Sequence, residues 1–280
     1  MSQLKHIATL WSLTQYPSKE KDWTLDQKLA DAKQAGFDGI ASNANPDLTP
    51  LLQKHGLLIT GFISSGNPTV FAGALQANKA MGAYHINIQL ADDDTLTPEA
   101  LGLTLLLLQE GQRQGVAPAI EVHRDTCTET PEKTYALADA YQKVTGELLP
   151  MTWDFSHLAV VKHVVPSNYC ERLITRPDLI QRAQQFHFRP FNGSHCQVPV
   201  TDGKGNLTAE VQDWLPFAEA VLKCWLIGNK NTDREIFVCP EMGPVPGGYN
   251  LSTLPNSWED AKVLRVEIDK IWKKLTTQGN

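Results

Sequence analysis

The chain has 280 residues, of which 42% are hydrophobic and 20% charged, and its formal net charge is −6. Its length suits one large α/β barrel or two small domains, and its composition is ordinary for a globular enzyme. The acidic balance argues against a nucleic-acid backbone as the main partner. The sequence also lacks the run of roughly 18 apolar residues that would suggest a membrane span.

The N-terminus and the cysteines indicate the expected compartment. The first residues, MSQLKHIATLW, lack the charged, apolar and small-residue order of a signal peptide. The five cysteines are scattered and show no CxxC spacing, which favours reduced thiols over a disulfide framework or a zinc ribbon. We therefore expect a cytoplasmic protein with no nucleic-acid and no membrane partner.

Short apolar segments alternate with amphipathic segments along the whole chain. The predicted strands are residues 6–11, 38–44, 57–64, 84–90, 117–125, 149–157, 186–193 and 234–243. Helical periodicity follows each strand, as in the segment where Thr24 is the predicted N-cap and Gly36 the predicted stop, and it is interrupted after the sixth. Eight such units predict a single (β/α)8 TIM-barrel domain over residues 1–280, with parallel strands and an outer ring of helices. An open doubly wound sheet would normally show a glycine-rich turn after its first strand, and none follows TLW.

Polar residues stand where the last four predicted strands end. Side chains two residues apart on a strand point to the same face, so Glu121 and His123 of EVHRD are expected to project together. The sixth strand ends in an aspartate with a histidine one turn later, and the seventh carries a His-x-Arg pair. The strand-end residues are Glu121 with His123, Asp154 with His157, His187 with Arg189, and Glu241.

In a TIM barrel these strand ends meet at one mouth, where the chemistry takes place. Glu121, Asp154, His187 and Glu241 would there combine three carboxylates with one imidazole, a donor set suited to Mn²⁺, Mg²⁺, Co²⁺ or Zn²⁺. Without a cation the carboxylates would repel one another, and some would have to take up protons. We therefore predict one divalent metal ion at the mouth. Taken singly, each residue also has a simpler explanation, such as a helix cap for Glu121 or a core histidine for His187.

The order of four segments resembles the xylose isomerase-like TIM-barrel family, and the resemblance covers essentially the whole chain. The segments are EVHRDT, the Asp-x-x-His of WDFSH, FHFRPFNGSHCQVP and CPEMGP. The family includes sugar isomerases, ketose 3-epimerases and inosose dehydratases, and an abasic-site endonuclease family shares its barrel. The resemblance implies that the four residues proposed above are the metal ligands and that Glu121 and Glu241 also act as the catalytic proton carriers. It further implies that His157 and Arg189 meet substrate oxygens.

Other residues near the mouth are predicted to contact substrate. His123 would bind a hydroxyl or carbonyl oxygen. Arg189 would either stabilise an enediolate or form an ion pair with Asp125 or another carboxylate of the mouth. Trp11 is predicted to end the first strand, where it would pack against a sugar face or simply fill the core.

One loop departs from the pattern of the ketose epimerases because it is longer. It runs from Asn192 to Asn206 and brings in His195 and Gln197 as further candidates for substrate contact. His195 is also the alternative to His187 as a metal ligand, although its position in a loop disfavours that role.

These observations predict a divalent-metal-dependent sugar or keto-sugar isomerase or epimerase of carbohydrate metabolism. It would abstract a proton next to a carbonyl through a metal-stabilised enediolate. A dehydratase of a keto-cyclitol or keto-sugar is the nearest alternative, because it shares the first proton abstraction. A non-catalytic sugar-binding barrel is a further alternative, whereas the acidic charge disfavours the endonuclease.

The expected partner is a small-molecule sugar or keto-sugar. No glycine-rich phosphate cradle stands out after the seventh or eighth strand, which favours a substrate without phosphate. The apolar segment YNLSTLP (249–255) is a candidate interface for a homodimer.

Overall fold

The computed structural model describes residues 2–244 and 256–277. Their eight strands form one closed barrel in which each strand pairs in parallel with the next, and the eighth pairs with the first. The strands are β1 (Gln3–Thr9), β2 (Gly39–Asn43), β3 (Leu58–Ser65), β4 (His85–Leu90), β5 (Ala117–Glu121), β6 (Met151–Trp153), β7 (Gln185–His187) and β8 (Glu235–Cys239). The predicted (β/α)8 barrel is therefore confirmed. The candidate dimer segment 249–255 lies outside the described residues, and a single domain over residues 1–280 stays a prediction.

Helices connect the strands and surround the barrel. Those within the described ranges are α1 (Leu25–Gln34), α2 (Leu48–His55), α3 (Pro68–Met81), α4 (Thr97–Gln114), α5 (Pro131–Thr145), α6 (Phe155–Val161), α7 (Tyr169–Leu173), α8 (Pro177–Arg182), α9 (Ala209–Asn229) and α10 (Ser257–Thr277). The interrupted pattern after the sixth strand corresponds to the three short helices α6, α7 and α8. None of the helices in the described part of the chain is both long enough and apolar enough to cross a membrane.

The helix ends follow local sequence signals. Thr24 accepts the backbone N–H of Gln27, whose side chain accepts the N–H of Thr24 in return, so a capping box starts α1. Thr130 caps α5, and Pro131 occupies its first turn, where the missing N–H costs no helical hydrogen bond. Gly115 ends α4 with a backbone φ angle of 72°, a left-handed conformation that glycine adopts without strain.

Strand β5 shows how the barrel separates apolar from polar side chains. Ile120 and Val122 are buried in the apolar layer between strands and helices. Glu121 stands between them and is equally buried, but its side chain contacts Asn87 of β4 and His187 of β7. Because successive side chains of a strand point to opposite faces, this alternation delivers a carboxylate to the barrel interior without interrupting the core.

The sixth and seventh strands end earlier than the sequence analysis predicts. Strand β6 stops at Trp153, because Asp154 caps α6 by accepting the backbone N–H of Ser156 over 2.9 Å. Strand β7 ends at His187, so Arg189 lies in the loop that follows.

The first strand also ends earlier than predicted. Trp11 was predicted to end this strand, whereas it lies in a short 3-10 helix, Leu10–Leu13. The physical reason is a local hydrogen bond: the side-chain oxygen of Thr9 accepts the backbone N–H of Trp11 over 3.2 Å and starts the turn.

Candidate metal centre and adjoining cavity

Four side chains converge at the carboxyl ends of β5 to β8. They are Glu121, Asp154, His187 and Glu241, and one ligand atom from each lies within 4.8 Å of the others. The structure thus brings together the residues that the sequence analysis predicts as ligands, which we call the quartet. The alternative ligand His195 does not belong to this group.

Two atoms of the quartet face each other without forming a hydrogen bond. Nδ1 of His187 lies 2.8 Å from Oε1 of Glu121 and 3.4 Å from Oε2 of Glu241. Within the described part of the chain, neither Nδ1 of His187 nor Oε1 of Glu121 has a hydrogen-bond partner, although both atoms are buried. Buried polar atoms without a partner are rare in native proteins. A divalent cation between these atoms would satisfy both, and their oxygen and nitrogen donors fit such an ion.

The charges of the quartet depend on one another. Burial by itself would lower the pKa of His187, but the carboxylates of Glu241 and Glu121 raise it well above its usual value. Burial by itself would raise the pKa of Glu121, but the attraction of His187 lowers it to about 2. A proton on His187 therefore supplies positive charge at the place where a divalent cation would supply it instead.

Asp154 is held by the side chains of Arg189 and His157. Its Oδ2 atom pairs with the guanidinium of Arg189 and lies 3.3 Å from Nε2 of His157. Although burial by itself would raise the pKa of Asp154, Arg189 and His157 hold it well below its usual value. Arg189 also lies 3.4 Å from Oε2 of Glu241. The ion pair that the sequence left open for Arg189 thus forms with carboxylates of the quartet.

Two neutral amides support the quartet from inside the barrel. Asn87 of β4 donates a hydrogen bond to Oε2 of Glu121 over 2.7 Å. The side chain of Gln185, in β7, lies 2.7 Å from Nε2 of His187. Both residues are buried, and neither was predicted from the sequence. The signal for Asn87 was present in YHINIQL, where polar residues alternate with apolar ones as they do on a strand with a polar inner face.

A cavity of about 480 Å³ adjoins the quartet and is bordered by His187 and Glu241. Its opposite wall comes from the ends of β2, β3 and β4 and consists of uncharged side chains. Thr60 and Asn87 in this wall are both buried, and their Oγ1 and Oδ1 atoms have no hydrogen-bond partner within the described residues. The polar residues of this wall are Ser42, Asn43, Thr60, Asn87 and Gln89, and Phe62 adds an aromatic ring.

Three of the predicted substrate-binding residues line this cavity, namely Trp11, His123 and Arg189. His157 does not line it but lies directly behind, with its ring centroid 4.2 Å from that of His123. The structure therefore places Trp11 at the wall of the cavity, even though it is not on a strand.

The two predicted contacts from the long loop lie elsewhere. His195 is exposed, and its ring nitrogen contacts Asn192 of the same loop at 3.1 Å. Gln197 is buried, but its side chain is used by the backbone of Gly243: it donates to the carbonyl over 3.0 Å and accepts the N–H over 2.6 Å. Gln197 thus ties the long loop to the segment after β8, and neither side chain lines the cavity among the described residues.

Comparisons with known proteins agree with this architecture. No protein-family model and no curated protein matches the sequence. Among solved structures, an L-ribulose 3-epimerase superposes with a TM-score of 0.64 at 13% identity, over 99% of each chain. A xylose isomerase-like TIM-barrel protein from Mycobacterium smegmatis, in complex with magnesium, has a TM-score of 0.59 at 13% identity, over 95% of this chain and 97% of the other.

A third similar structure is the probable 3-DHS dehydratase from Bacillus anthracis. Its TM-score is 0.56 at 13% identity, over 95% of this chain and 97% of the other. The chain is therefore a (β/α)8 barrel, and its fold is similar to that of solved xylose isomerase-like TIM-barrel proteins, as the resemblance implied. At this level of identity, the similarity establishes the fold alone.

Proposed function

We propose that the protein is a divalent-metal-dependent enzyme that isomerises or epimerises a sugar or keto-sugar. The observation that carries the proposal is the quartet itself: three carboxylates and one imidazole meet beside a cavity large enough for a small molecule. A divalent ion in the quartet would polarise a substrate carbonyl and stabilise negative charge on its oxygen. The chain's own residues would then bind the substrate and move its proton.

Glu121 and Glu241 are proposed as the acid–base pair, with different access to the substrate. The side chain of Glu241 is 17% exposed and borders the cavity, whereas that of Glu121 is fully buried. This access supports a direct exchange of a proton between Glu241 and a bound molecule. Glu121 is held by Asn87. It would serve as the second proton carrier for a substrate that extends beyond His187.

Arg189 and the two histidines near it are proposed to orient the substrate. Arg189 borders the cavity while its guanidinium is fixed by Asp154, so its positive charge would stand beside a substrate oxygen that gains negative charge. His123 borders the cavity and packs on His157. The Nδ1 atom of His123 contacts the backbone carbonyl of Arg124 at 2.5 Å, which favours a proton on Nδ1 and leaves Nε2 as an acceptor for a hydroxyl.

The opposite wall of the cavity favours a neutral polyhydroxy compound over a phosphorylated one. Thr60, Asn87 and Gln89 offer hydroxyl and amide groups, and a buried oxygen without a partner is best satisfied by a hydroxyl donor. A phosphate would need cations or a cluster of backbone N–H groups at that wall. The similarity to an L-ribulose 3-epimerase supports the same substrate class.

Hydrogen exchange at carbon tests the proposal. The metal-loaded protein is incubated with keto-sugars in deuterated water, and deuterium at the carbon next to the carbonyl is measured by NMR. The Glu241→Gln variant should lower the exchange rate by about 10²–10⁴-fold, because it removes a general base. Glu235→Gln, at the opposite end of the same β8 and exposed, is the matched control and should leave the rate unchanged.

The same experiment separates the alternatives. Incorporation of deuterium into the sugar without loss of water from it supports an isomerase or epimerase. Loss of water would identify a dehydratase, which shares the first step and is the activity named for one of the similar structures. Tight sugar binding with no exchange of carbon-bound hydrogen would leave a non-catalytic sugar-binding barrel. A cytoplasmic location and a homodimer stay predictions.

A further inference from the structure

The ring of His187 has a second nitrogen, which faces Gln185 rather than the carboxylates. Nε2 of His187 lies 2.7 Å from Nε2 of Gln185, and both side chains are buried. The other end of the Gln185 amide, Oε1, has no hydrogen-bond partner within the described residues. Gln185 therefore contacts His187 on the side of the ring away from the quartet.

A contact between these two nitrogens needs one donor and one acceptor. If the Gln185 amide nitrogen is the donor, Nε2 of His187 carries no proton, so the neutral ring carries it on Nδ1. A proton on Nδ1 would point at Glu121 and would prevent that nitrogen from ligating a metal. If the amide group of Gln185 is instead rotated by 180°, its Oε1 accepts a hydrogen bond from the Nε2–H of His187. Nδ1 of His187 then keeps its lone pair. The two orientations of an amide differ little in shape.

A third side chain favours the turned orientation. His85 of β4 is close enough to Gln185 for the Gln185 side chain to raise the pKa of His85, against the larger effect of burial. Nδ1 of His85 lies 2.9 Å from Oε1 of Gln184; with that oxygen as the acceptor, Nδ1 of His85 carries the proton. Nε2 of His85 is then a bare acceptor, and it has no partner within the described residues. With the amide turned, the Gln185 nitrogen can donate to His85 while its oxygen accepts from His187.

We propose that Gln185 is a positioning residue that holds His187 in the tautomer whose Nδ1 can ligate a metal ion. A chain of hydrogen bonds runs from Gln184 through His85 and Gln185 to His187 and keeps the proton of His187 on Nε2. Histidines that bind metals generally donate their other N–H to a fixed acceptor, and loss of that acceptor weakens metal binding. This inference rests on the metal centre proposed above.

Two substitutions that keep the length of the side chain test whether Gln185 orients His187 or only fills the barrel interior. Gln185→Met keeps the volume but offers only a weak acceptor, so it should weaken Zn²⁺ binding by about 10–100-fold. Gln185→Glu retains an acceptor and should restore the affinity. Gln89→Met, which removes another amide beside the cavity, is the matched control and should bind Zn²⁺ like the unsubstituted protein. Affinity is measured by calorimetric titration with Zn²⁺.

Nitrogen-15 NMR of the histidine rings gives a readout that mere packing would not change. In the Zn²⁺-loaded protein, the His187 signals, assigned with a His187→Gln variant, should show a protonated Nε2 and a metal-bound Nδ1. A Gln185→Met variant with unchanged Zn²⁺ affinity and unchanged His187 signals would overturn the role of Gln185 and leave the metal centre intact. A failure of the unsubstituted protein to bind Zn²⁺ would overturn the metal centre and this inference together.

Discussion

Asn87 donates its side-chain amide to Oε2 of Glu121 across 2.7 Å, from one strand of the barrel to the next. The bond leaves Oε1 of Glu121 to face His187, 2.8 Å away. A neutral donor on one oxygen thus orients a buried carboxylate, so that its other oxygen points into the quartet.

Replacing Asn87 by leucine should therefore affect both stability and metal binding. Asn87→Leu leaves one oxygen of a fully buried carboxylate without a donor, which should lower the free energy of unfolding by about 1–3 kcal/mol. The freed carboxylate should also bind a divalent ion more weakly. Urea unfolding and metal titration measure the two effects. Gln89→Leu on the same strand is the control, and equal behaviour of the two variants would contradict the role of Asn87.

A second prediction concerns Arg189: a bound metal ion should partly replace its guanidinium in neutralising the carboxylate of Asp154. Its guanidinium neutralises Asp154 inside the protein, where both side chains are almost fully buried. Arg189→Met should destabilise the metal-free protein by about 3–5 kcal/mol, because it leaves a buried charge without its partner. Addition of Mn²⁺ should restore part of this loss, since the ion supplies positive charge beside Asp154. Thermal unfolding with chelator and with Mn²⁺ makes the comparison.

A partly exposed arginine provides the control for that experiment. The side chain of Arg176 is 23% exposed and pairs with Asp139 and Asp178, whose side chains are 65% and 41% exposed. Arg176→Met should cost less stability than Arg189→Met, and the cost should be the same with or without Mn²⁺. The explanation for Arg189 would be wrong if Mn²⁺ raised the stability of both variants equally.

The quartet could be predicted from sequence because each member interrupts or follows an apolar strand. The barrel topology then requires the strand ends to meet, so Glu121 and Glu241 could be placed together although 120 positions separate them in the chain. No long-range contact had to be guessed. His157 could likewise be placed beside Asp154, because one helical turn separates them.

The supporting residues could not be predicted in this way. The polarity of Asn87 indicates an inward-facing position, but the choice of Glu121 as its partner depends on the register between β4 and β5, where Asn87 pairs with Ala119. Gln197 was expected at the substrate because its loop follows β7. Its bonds to Gly243 instead depend on how two irregular segments pack, and irregular segments carry no periodicity from which a contact could be inferred.

Two buried histidines predict how stability depends on pH. Burial, as the main cause, lowers the pKa of His6 to about 4 and that of His85 to about 4, compared with 6.5 in the unfolded chain. Between these values the unfolded chain binds more protons than the folded one, so the free energy of unfolding falls as the pH falls from 6.5 towards 4. Each histidine should contribute on the order of 3 kcal/mol across this window.

His6→Leu tests this prediction away from the quartet. His6 packs between β1 and α10, near Asp269, Arg265 and Asp38. Urea unfolding is measured at several pH values. Below pH 6.5, the free energy of unfolding should fall less steeply with pH in the variant, and the difference in slope should correspond to about one proton per molecule. If the free energy of unfolding depends on pH in the same way in the variant and in the unsubstituted protein, His6 binds its proton equally well in the folded and the unfolded chain.

A buried carboxylate of α10 anchors the long loop after β7. Asp260 of α10 accepts the backbone N–H of Val200 over 2.7 Å and both the N–H and the hydroxyl of Thr201, over 3.1 and 2.8 Å. Burial is the main cause that raises the pKa of Asp260, yet the carboxylate is retained because two buried backbone donors need an acceptor there. We therefore expect Asp260 to control the order of this loop.

Asp260→Ala removes that acceptor and leaves the N–H groups of Val200 and Thr201 without a partner in the core. Each such group costs about 1–3 kcal/mol, so the loop should open locally before the barrel unfolds. Amide hydrogen exchange should accelerate at Val200 and Thr201, while exchange in the barrel strands stays slow. Glu259→Ala, the exposed neighbour that contacts Tyr16 and Lys262, should leave the loop protected. Equal acceleration in the loop and in β5 would instead indicate that Asp260 stabilises the whole barrel.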